Sequence, residues 1–447
     1  MRQPTTNEMI PGVNTSPEDR EAYSCDFGRM TRRVPSAVAK PRSVEEVAGL
    51  VRRAARDGIR VAVRGGGHSQ GGQTLTDGGV VLDTAGLDRI RPAAPGLVRA
   101  QGGVQWGALV DTLRGEGRLP RVLPDFGALT VGGTLSAGGL GTTSHRYGAQ
   151  VGQVEQLEVV TGTGERVRCS AIRNAGLFNA VRGGQGQFGI IAEAWIRLRR
   201  TGGRFRQYEL HYSDIERFAD DLEHIVEADR FEHLRGEMRH DENVIVLHAG
   251  LEYDEEPDDE RMLHALGHDE NAYTRDTASV GRAGMYPTWS FSRMFYYPWR
   301  DWFLPWETLR TVLAQPWLDT DTVPRRPWRW IGLYPMGQEE TSAPMFMRPP
   351  GERSISYSVL TVMAESRHAQ AVALASYLEE VDRTLVGLGG KSYLSGGVGY
   401  GPARWAEHYG EMLEKGIAWK REFDPKHVFD AAGRPFAAES AAVRPGA

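Results

Sequence analysis

Apolar residues recur at helical spacing in residues 43–57, SVEEVAGLVRRAARD, where Val47, Leu50, Val51 and Ala54 share one face. Ser43 offers an N-cap oxygen and Gly58 a stop, so the pattern predicts a helix. IRVAV reads as a short strand running into glycines, and GVVLD as another. LVRAQGGVQWGALVDTLRGEG reads as strand, turn and helix. QLEVVTGTGERVRCS predicts a hairpin turning at Thr161–Gly164, AGLFNAVRGG a short helix, and FGIIAEAWIRLR a β-branched strand. Strands alternating with short helices make this half α+β or α/β. The texture changes near Phe205. HYSDIERFADDLEHIVEAD and SRHAQAVALASYLEEVDRTLVGLG are helices, while NVIVLHAGLEYD and SISYSVLTVMAE are strands. These predict a sheet with helices on one face. The acidic run Glu252–Glu260 reads as a solvated loop, and a metal site joining it to His264 and His268 lacks paired ligand spacing.

Composition narrows the function classes. Lys plus Arg is 53 and Asp plus Glu 58, a formal charge of −5, which disfavours a general nucleic-acid binder. No stretch reaches about 18 apolar residues, and the N-terminal segment lacks an apolar signal core, so neither a membrane partner nor secretion by that route is expected. Cys25 and Cys169 are the two cysteines. They could pair, but they read as incidental thiols in a reducing, cytoplasmic setting. Glycine is in excess, 54 of 447 residues or about 12% against roughly 7% in an average chain. Residues 61–152 hold 22 glycines in 92 positions, whereas residues 201–350 hold 9 in 150. Tryptophan does the reverse, with seven of eleven between Trp289 and Trp330. The contrast suggests a cofactor-cradling domain followed by a substrate domain.

Three motifs point elsewhere and fail on context. Gly67-His68-Ser69-Gln70-Gly71 matches a nucleophile elbow, with Ser69 as the nucleophile of a serine hydrolase. The elbow must enter a helix, and GQTLTDGGVVLD has no helical period; Ser69 also has no obvious histidine partner. Gly184-Gln185-Gly186-Gln187-Phe188-Gly189 matches the dinucleotide fingerprint, but it follows a helix and opens a strand, the reverse of the required order. It reads as a helix-to-strand turn or a backbone contact to a cofactor. Tryptophans interleaved with arginines in 289–330 could stack bases, but aromatics in a strand-rich domain more often build a core or a pocket wall. The informative element is residues 64–90, a strand entering a glycine run that carries His68 and Ser69. Backbone N–H groups in such a loop form a nest for phosphate oxygens. A second glycine region, DFGALTVGGTLSAGGLGTTSHRYG, has the same character, and two such loops would grip a pyrophosphate.

At these residues the chain resembles the FAD-linked oxidases of the vanillyl-alcohol oxidase and berberine-bridge superfamily, and within it the cytokinin dehydrogenases. The matching segments are Gly67-His68-Ser69, Gly72-Gln73, LTVGGTLS at 129–136, LFNAVRGGQGQFGIIAEAWIRL and, at the tail, FDPKHVFDAAGRPF; YPWRDWFLP and Leu333-Tyr334-Pro335-Met336 match more loosely. The resemblance implies an α+β, two-domain FAD-binding PCMH-type fold. Residues 1–200 would bind FAD, residues 201–390 would form a substrate domain of a sheet covered by helices, and residues 391–447 would return to the FAD domain. It implies cofactor contacts at Arg64, Gly65, Gly66, Gly67, His68, Ser69, Gln73, Thr130, Gly132, Gly133, Ser136, Gly138, Ile191 and Arg434. The flavin would be covalently attached through His68 alone, because Ala128 stands where relatives with a second link carry cysteine. Asp125, before LTVGG, takes the position of the family's catalytic aspartate, and would accept a proton from an N–H or O–H while hydride leaves the adjacent C–H for the flavin. A partner should keep Asp125 ionised. The family's substrate-domain acid has no clean match: Arg235 stands near its place, with Glu237 two residues on as the second catalytic candidate. Trp330, Tyr334 and Tyr393 are the expected substrate contacts. The expected activity is an FAD-dependent oxidase or dehydrogenase acting on a C–H beside an amine or alcohol, cytokinins being the first substrates to try. Oxygen or a quinone would be the electron acceptor. A natural-product oxidase acting on an alcohol, amine or sugar shares every cofactor motif, and a non-redox cyclase using FAD as a scaffold shares them too.

Overall fold

The computed structural model describes residues 12–239, 244–269, 273–277, 295–314, 328–429 and 435–436. Three sheets organise them. A parallel three-stranded sheet holds Ala37–Ala39, Val80–Asp83 and Val61–Arg64 in that order. The helix Val44–Asp57 packs on it through Val47, Val51 and Ala54. The Ser43 hydroxyl accepts from the Glu46 N–H at 3.1 Å, and Gly58 ends the helix at φ +68°, as the sequence predicts. A six-stranded antiparallel sheet is centred on Gly189–Arg200, flanked by Leu97–Gln101 and Val154–Thr161. Val154–Thr161 and Arg166–Ser170 form the expected hairpin.

The third sheet has nine strands, all antiparallel. Its order is Tyr273–Thr277, Arg204–Tyr212, Val244–Tyr253, His233–Arg239, Trp328–Met336, Ser354–Ala364, Trp299–Pro305 and Lys391–Ser392, with Phe295–Tyr296 also on Ser354–Ala364. The period-2 alternation gives the sheet two unlike faces. Leu333, Tyr357, Val359 and Trp302 lie under the helices Ile215–Glu227 and His368–Gly387, against Phe218, Leu222, Leu374 and Leu378. The opposite face looks toward the first half of the chain, where Phe303 packs with Ala149 and Val151.

The tail comes back to the first half. Trp405 and Tyr409, on the helix Pro402–Tyr409, join a core with Phe178 and Phe188. The fully buried Lys420 donates to the Gln187 carbonyl at 2.9 Å and to Asp424 at 2.7 Å, and Asp424 accepts from the Val428 and Phe429 N–H groups.

Two expectations change. The acidic run is not one solvated loop: Glu252 ends a strand, buried against Arg199 and His233, and Asp258 caps the short helix Asp259–Leu263. The second glycine region is not a loop throughout: Val131–Ala137 is a helix capped by the Thr130 hydroxyl. Among the described residues, no helix is long and apolar enough to cross a membrane.

Candidate active site

One cavity lies between the glycine-rich first half and the polar face of the nine-stranded sheet. Its backbone-lined side comes from the loop after Val61–Arg64, from Gly102, from the helix Val131–Ala137 and from the turn before Gly189–Arg200. The opposite side carries Trp299, Asp301, Trp330, Tyr334, Ser356, Ser358 and Tyr393. The space between atoms, open mouth included, is about 1510 Å³.

The glycines make the cradle by close approach. A Cβ on Gly65 would sit 2.1 Å from the Thr130 hydroxyl, and one on Gly132 would sit 2.9 Å from the Gly102 carbonyl. Side chains there would fill the slot, so the walls that meet a ligand are peptide groups. The first N–H groups of Val131–Ala137 are already used: Val131 and Gly132 donate to the carbonyls of Val104 and Gly102, and Gly133 to the Thr130 hydroxyl. Phosphate binding by this helix end would therefore rest on its dipole rather than on spare N–H groups. The Thr74 hydroxyl, buried in the cavity wall, has no partner among the described residues. It suits a polar ligand.

His68 stands at the end of the glycine run, its ring stacked on Phe27 at 5.1 Å and facing Phe126 at 6.4 Å. Burial pushes its imidazole down to about 4. It is neutral at pH 7, so a ring nitrogen lone pair is present for bond formation. No helix follows Ser69; residues 70–79 are turns and bends, so the nucleophile-elbow geometry is missing. Gln73 ties the loop down, accepting from the Gly71 N–H and donating to the Leu394 carbonyl, both at 2.6 Å.

Asp125 occupies a buried corner. The Tyr334 hydroxyl donates to it, and Arg235 Nη1 lies 3.6 Å from its Oδ2. Burial raises the Asp125 carboxyl above the ordinary carboxylate range, while Arg235, Tyr334 and His248 pull it back. Arg235 Nη2 also donates to Glu237 at 3.2 Å, and Glu237 pairs with His248 Nε2 at 3.0 Å. Asp125, Arg235, Glu237 and His248 thus form a buried row of titratable side chains, in which burial lowers the His248 imidazole.

The other side of the cavity follows from strand register. Trp330, Leu360 and Trp299 are directly opposite one another across three strands; Gly332, Ser358 and Asp301 form the next such row, and Tyr334, Ser356 and Phe303 the one after. An aromatic row therefore borders a polar one. Trp299 Nε1 donates to Asp301 Oδ1 at 2.7 Å and to the Ser358 hydroxyl at 2.9 Å, and the Ser358 hydroxyl donates to Asp301. The Tyr393 hydroxyl accepts from the Gly139 N–H at 2.9 Å, joining the two sides.

Of the residues singled out in the sequence, Gly65, Gly66, Gly67, His68, Ser69, Gln73, Asp125, Thr130, Gly132, Gly133, Ser136, Ile191, Trp330, Tyr334 and Tyr393 line the cavity. Three do not. The Arg64 side chain turns away, to the Cys25 carbonyl at 3.1 Å and over the Tyr23 ring. Gly138 packs where a Cβ would strike Phe346. Glu237 lies behind Arg235. Arg434, Trp289 and Trp317 lie outside the described residues. The tryptophan cluster divides: Trp299 and Trp330 reach the cavity, while Trp302 is core, its Nε1 donating to Asp382 at 2.8 Å. Sequence reasoning missed Asp301, Ser356 and Ser358. The alternation WRDWFLP and SISYSVL carries them on the same face as Trp299, a signal legible only once that face is known to be the polar one.

Residues 35–170 match the family model described as "FAD binding domain". An uncharacterized oxidoreductase of the fasciation locus of Rhodococcoides fascians is 32% identical over 416 residues, covering 90% of this chain and 94% of that protein. Cytokinin dehydrogenase 1 of Oryza sativa subsp. japonica is 30% identical over 488 residues, covering 93% and 90%. The fold superposes on glucooligosaccharide oxidase from Acremonium strictum, described with a 6-S-cysteinyl, 8α-N1-histidyl FAD, at a TM-score of 0.71 and 19% identity, covering 93% of this chain and 95% of the other. The glycine cradle and the unpartnered Thr74 hydroxyl in the cavity wall fit FAD. The chain belongs to the family of FAD-dependent oxidoreductases that includes the cytokinin dehydrogenases.

Proposed function

We propose that this oxidoreductase removes hydride from a C–H bond beside an amine or alcohol nitrogen or oxygen, with Asp125 as the proton acceptor. The observation that carries the reading is the buried Asp125, lining the same cavity as His68 and paired with Arg235. Bound FAD supplies the two-electron acceptor chemistry. His68, neutral and held between Phe27 and Phe126, is the residue that holds the cofactor covalently. Arg235 counters the burial of Asp125 and keeps its carboxylate ready to take the proton from the substrate N–H or O–H. The Tyr334 hydroxyl fixes the carboxylate's orientation, and Trp299 and Trp330 bound a flat pocket that excludes water. Glu237, away from the cavity wall, acts here through Arg235. The two-domain division at about residues 200 and 390, oxygen or a quinone as electron acceptor, and a cytoplasmic location suited to two free cysteines belong to the same reading.

The test is a turnover screen of unsaturated and aromatic amines and alcohols, cytokinins among them, followed by anaerobic reduction of wild type and Asp125→Asn. Loss of a positioned general base typically costs about 10²–10⁴-fold. A variant reducing within about threefold of wild type removes Asp125 from the chemistry.

A further inference from the structure

The carboxylates that reach the cavity are unequally compensated. Asp125 has Arg235 beside it. Several other buried carboxylates are paired too: Asp382 has Arg404 and Arg300, Glu252 has Arg199 and His233, and Asp424 has Lys420. Asp301 lines the cavity at 5% exposure and has no Lys, Arg or His in ion-pair reach among the described residues. Its partners are neutral: Trp299 Nε1 and the Ser358 hydroxyl on Oδ1, and the Ser395 hydroxyl on Oδ2 at a long 3.4 Å. Oδ2 thus retains acceptor capacity. Asp26, Asp83 and Asp221 are also buried without an ion pair among the described residues, but none of them lines the cavity. Among the described residues, moreover, the cavity wall carries no Lys or Arg at all. A buried carboxylate is costly unless it is paired, and in a binding cavity the missing charge can come from the ligand.

We infer that Asp301 is a specificity-determining residue whose carboxylate pairs with a protonated, basic nitrogen of the substrate. The inference rests on the reading of this cavity as the substrate site, and names the class of molecule it takes: a flat amine, selected over neutral alcohols and against acids. The nitrogen at Asp301 is not the group that gives its proton to Asp125. Asp301 and Tyr334, whose hydroxyl reaches Asp125, are two strands and one row apart on the sheet. With strands ~4.8 Å apart and alternate residues ~6.7 Å apart, their Cα atoms are about 12 Å from each other. A substrate meeting both is therefore extended, with its basic nitrogen remote from the reacting C–H. Trp299 lies one row beyond Asp301 on the same strand, in edge contact with Phe126 at 6.1 Å, and gives the cation an aromatic neighbour as well.

The test uses purified holoprotein and three probes of one shape: benzylammonium, benzyl alcohol and benzoate. Binding is read by calorimetry, which needs no flavin, and by perturbation of the flavin spectrum, which does. At pH 7.5 benzylammonium should bind about tenfold or more tighter than benzyl alcohol, with benzoate weakest. Asp301→Asn keeps an acceptor for Trp299 and should bring benzylammonium and benzyl alcohol within about twofold of each other. In wild type the benzylammonium preference should also collapse between pH 7.5 and pH 5, because burial holds the Asp301 carboxyl at about 6 and protonation removes its charge. The Asp125 carboxyl, also raised by burial, faces the same cavity, so this arm is repeated in Asp125→Asn, where the collapse should persist. Equal binding of the three probes by wild type, or an unchanged preference in Asp301→Asn, overturns the inference. So does a variant that alters the flavin spectrum without ligand and leaves the preference intact, since Asp301 would then serve the cofactor. A protein without flavin contradicts the earlier reading, while the calorimetric preference still decides this one.

Discussion

Replacing Arg235 by Met removes one charge from beneath Asp125 and keeps most of the side chain's length. Arg235 Nη1 lies 3.6 Å from Asp125 Oδ2, and both residues are buried. At an effective dielectric of ~20, two unit charges at that distance attract by about 4.6 kcal/mol. Arg235 divides its charge between Asp125 and Glu237, which it meets at 3.2 Å, so a smaller share reaches Asp125. A rise of about 1–3 pH units in the Asp125 carboxyl is the expected result. Burial already raises that carboxyl, so its loss of charge in the variant extends toward neutral pH. The acid form cannot accept the substrate proton. The rate of anaerobic flavin reduction at saturating substrate should therefore fall as pH drops in both proteins, with the falling limb displaced upward by about 1–3 units in Arg235→Met. Asp125→Asn combined with Arg235→Met should be no slower than Asp125→Asn alone, because the arginine acts through the aspartate. Flavin content checks that the cavity persists. An acid limb within about 0.3 unit of wild type, in a variant that retains flavin, would falsify the pairing as the source of the carboxylate's charge.

Three further outcomes follow from the same geometry. Gly65→Ala places a Cβ 2.1 Å from the Thr130 hydroxyl and should cost about 1–3 kcal/mol, read as a lower thermal midpoint and reduced flavin content, with partial recovery in Gly65→Ala/Thr130→Ala; an unchanged midpoint removes the close-approach argument. Burial would raise the Glu252 carboxyl, but hydrogen bonds from Arg199 and His233 outweigh it and hold it at about 2, against 4.5 for a free glutamate. That depressed value contributes about 3 kcal/mol of stability above pH 4.5, lost as pH falls toward 2, so Glu252→Gln should flatten the acid limb of the unfolding profile. Trp302→Phe should lower stability by about 1–3 kcal/mol, by leaving buried Asp382 without its indole donor, yet leave flavin content unchanged, whereas Trp299→Phe should act on ligand binding.

The cofactor half was legible in the sequence because its signals are local. Glycines that let two backbones meet, as at Gly65 and Gly132, must be glycines whatever surrounds them. Ser43 and Gly58 declare a helix from its ends. The failures have one physical origin, which is that side-chain direction depends on neighbours far along the chain. Arg64 adjoins the glycine loop in sequence, but Tyr23 and the Cys25 carbonyl hold its guanidinium against Gly67 and out of the cavity lining. Glu237 follows Arg235 by two residues on the same face, and the arginine stands between it and Asp125. Thr130 converted a stretch that reads as a glycine loop into a capped helix, because a single hydroxyl satisfies the Gly133 N–H. Asp301 was invisible among tryptophans, since its place in the cavity wall follows from strand register rather than from any motif.

The central claim is that this cavity holds FAD bonded to His68. The most direct measurement is the absorbance spectrum of the purified protein before and after acid denaturation and desalting. The account predicts flavin near one per chain, retained on the denatured wild type and lost from denatured His68→Ala. A colourless protein, or wild type that releases all its flavin on denaturation, would contradict it.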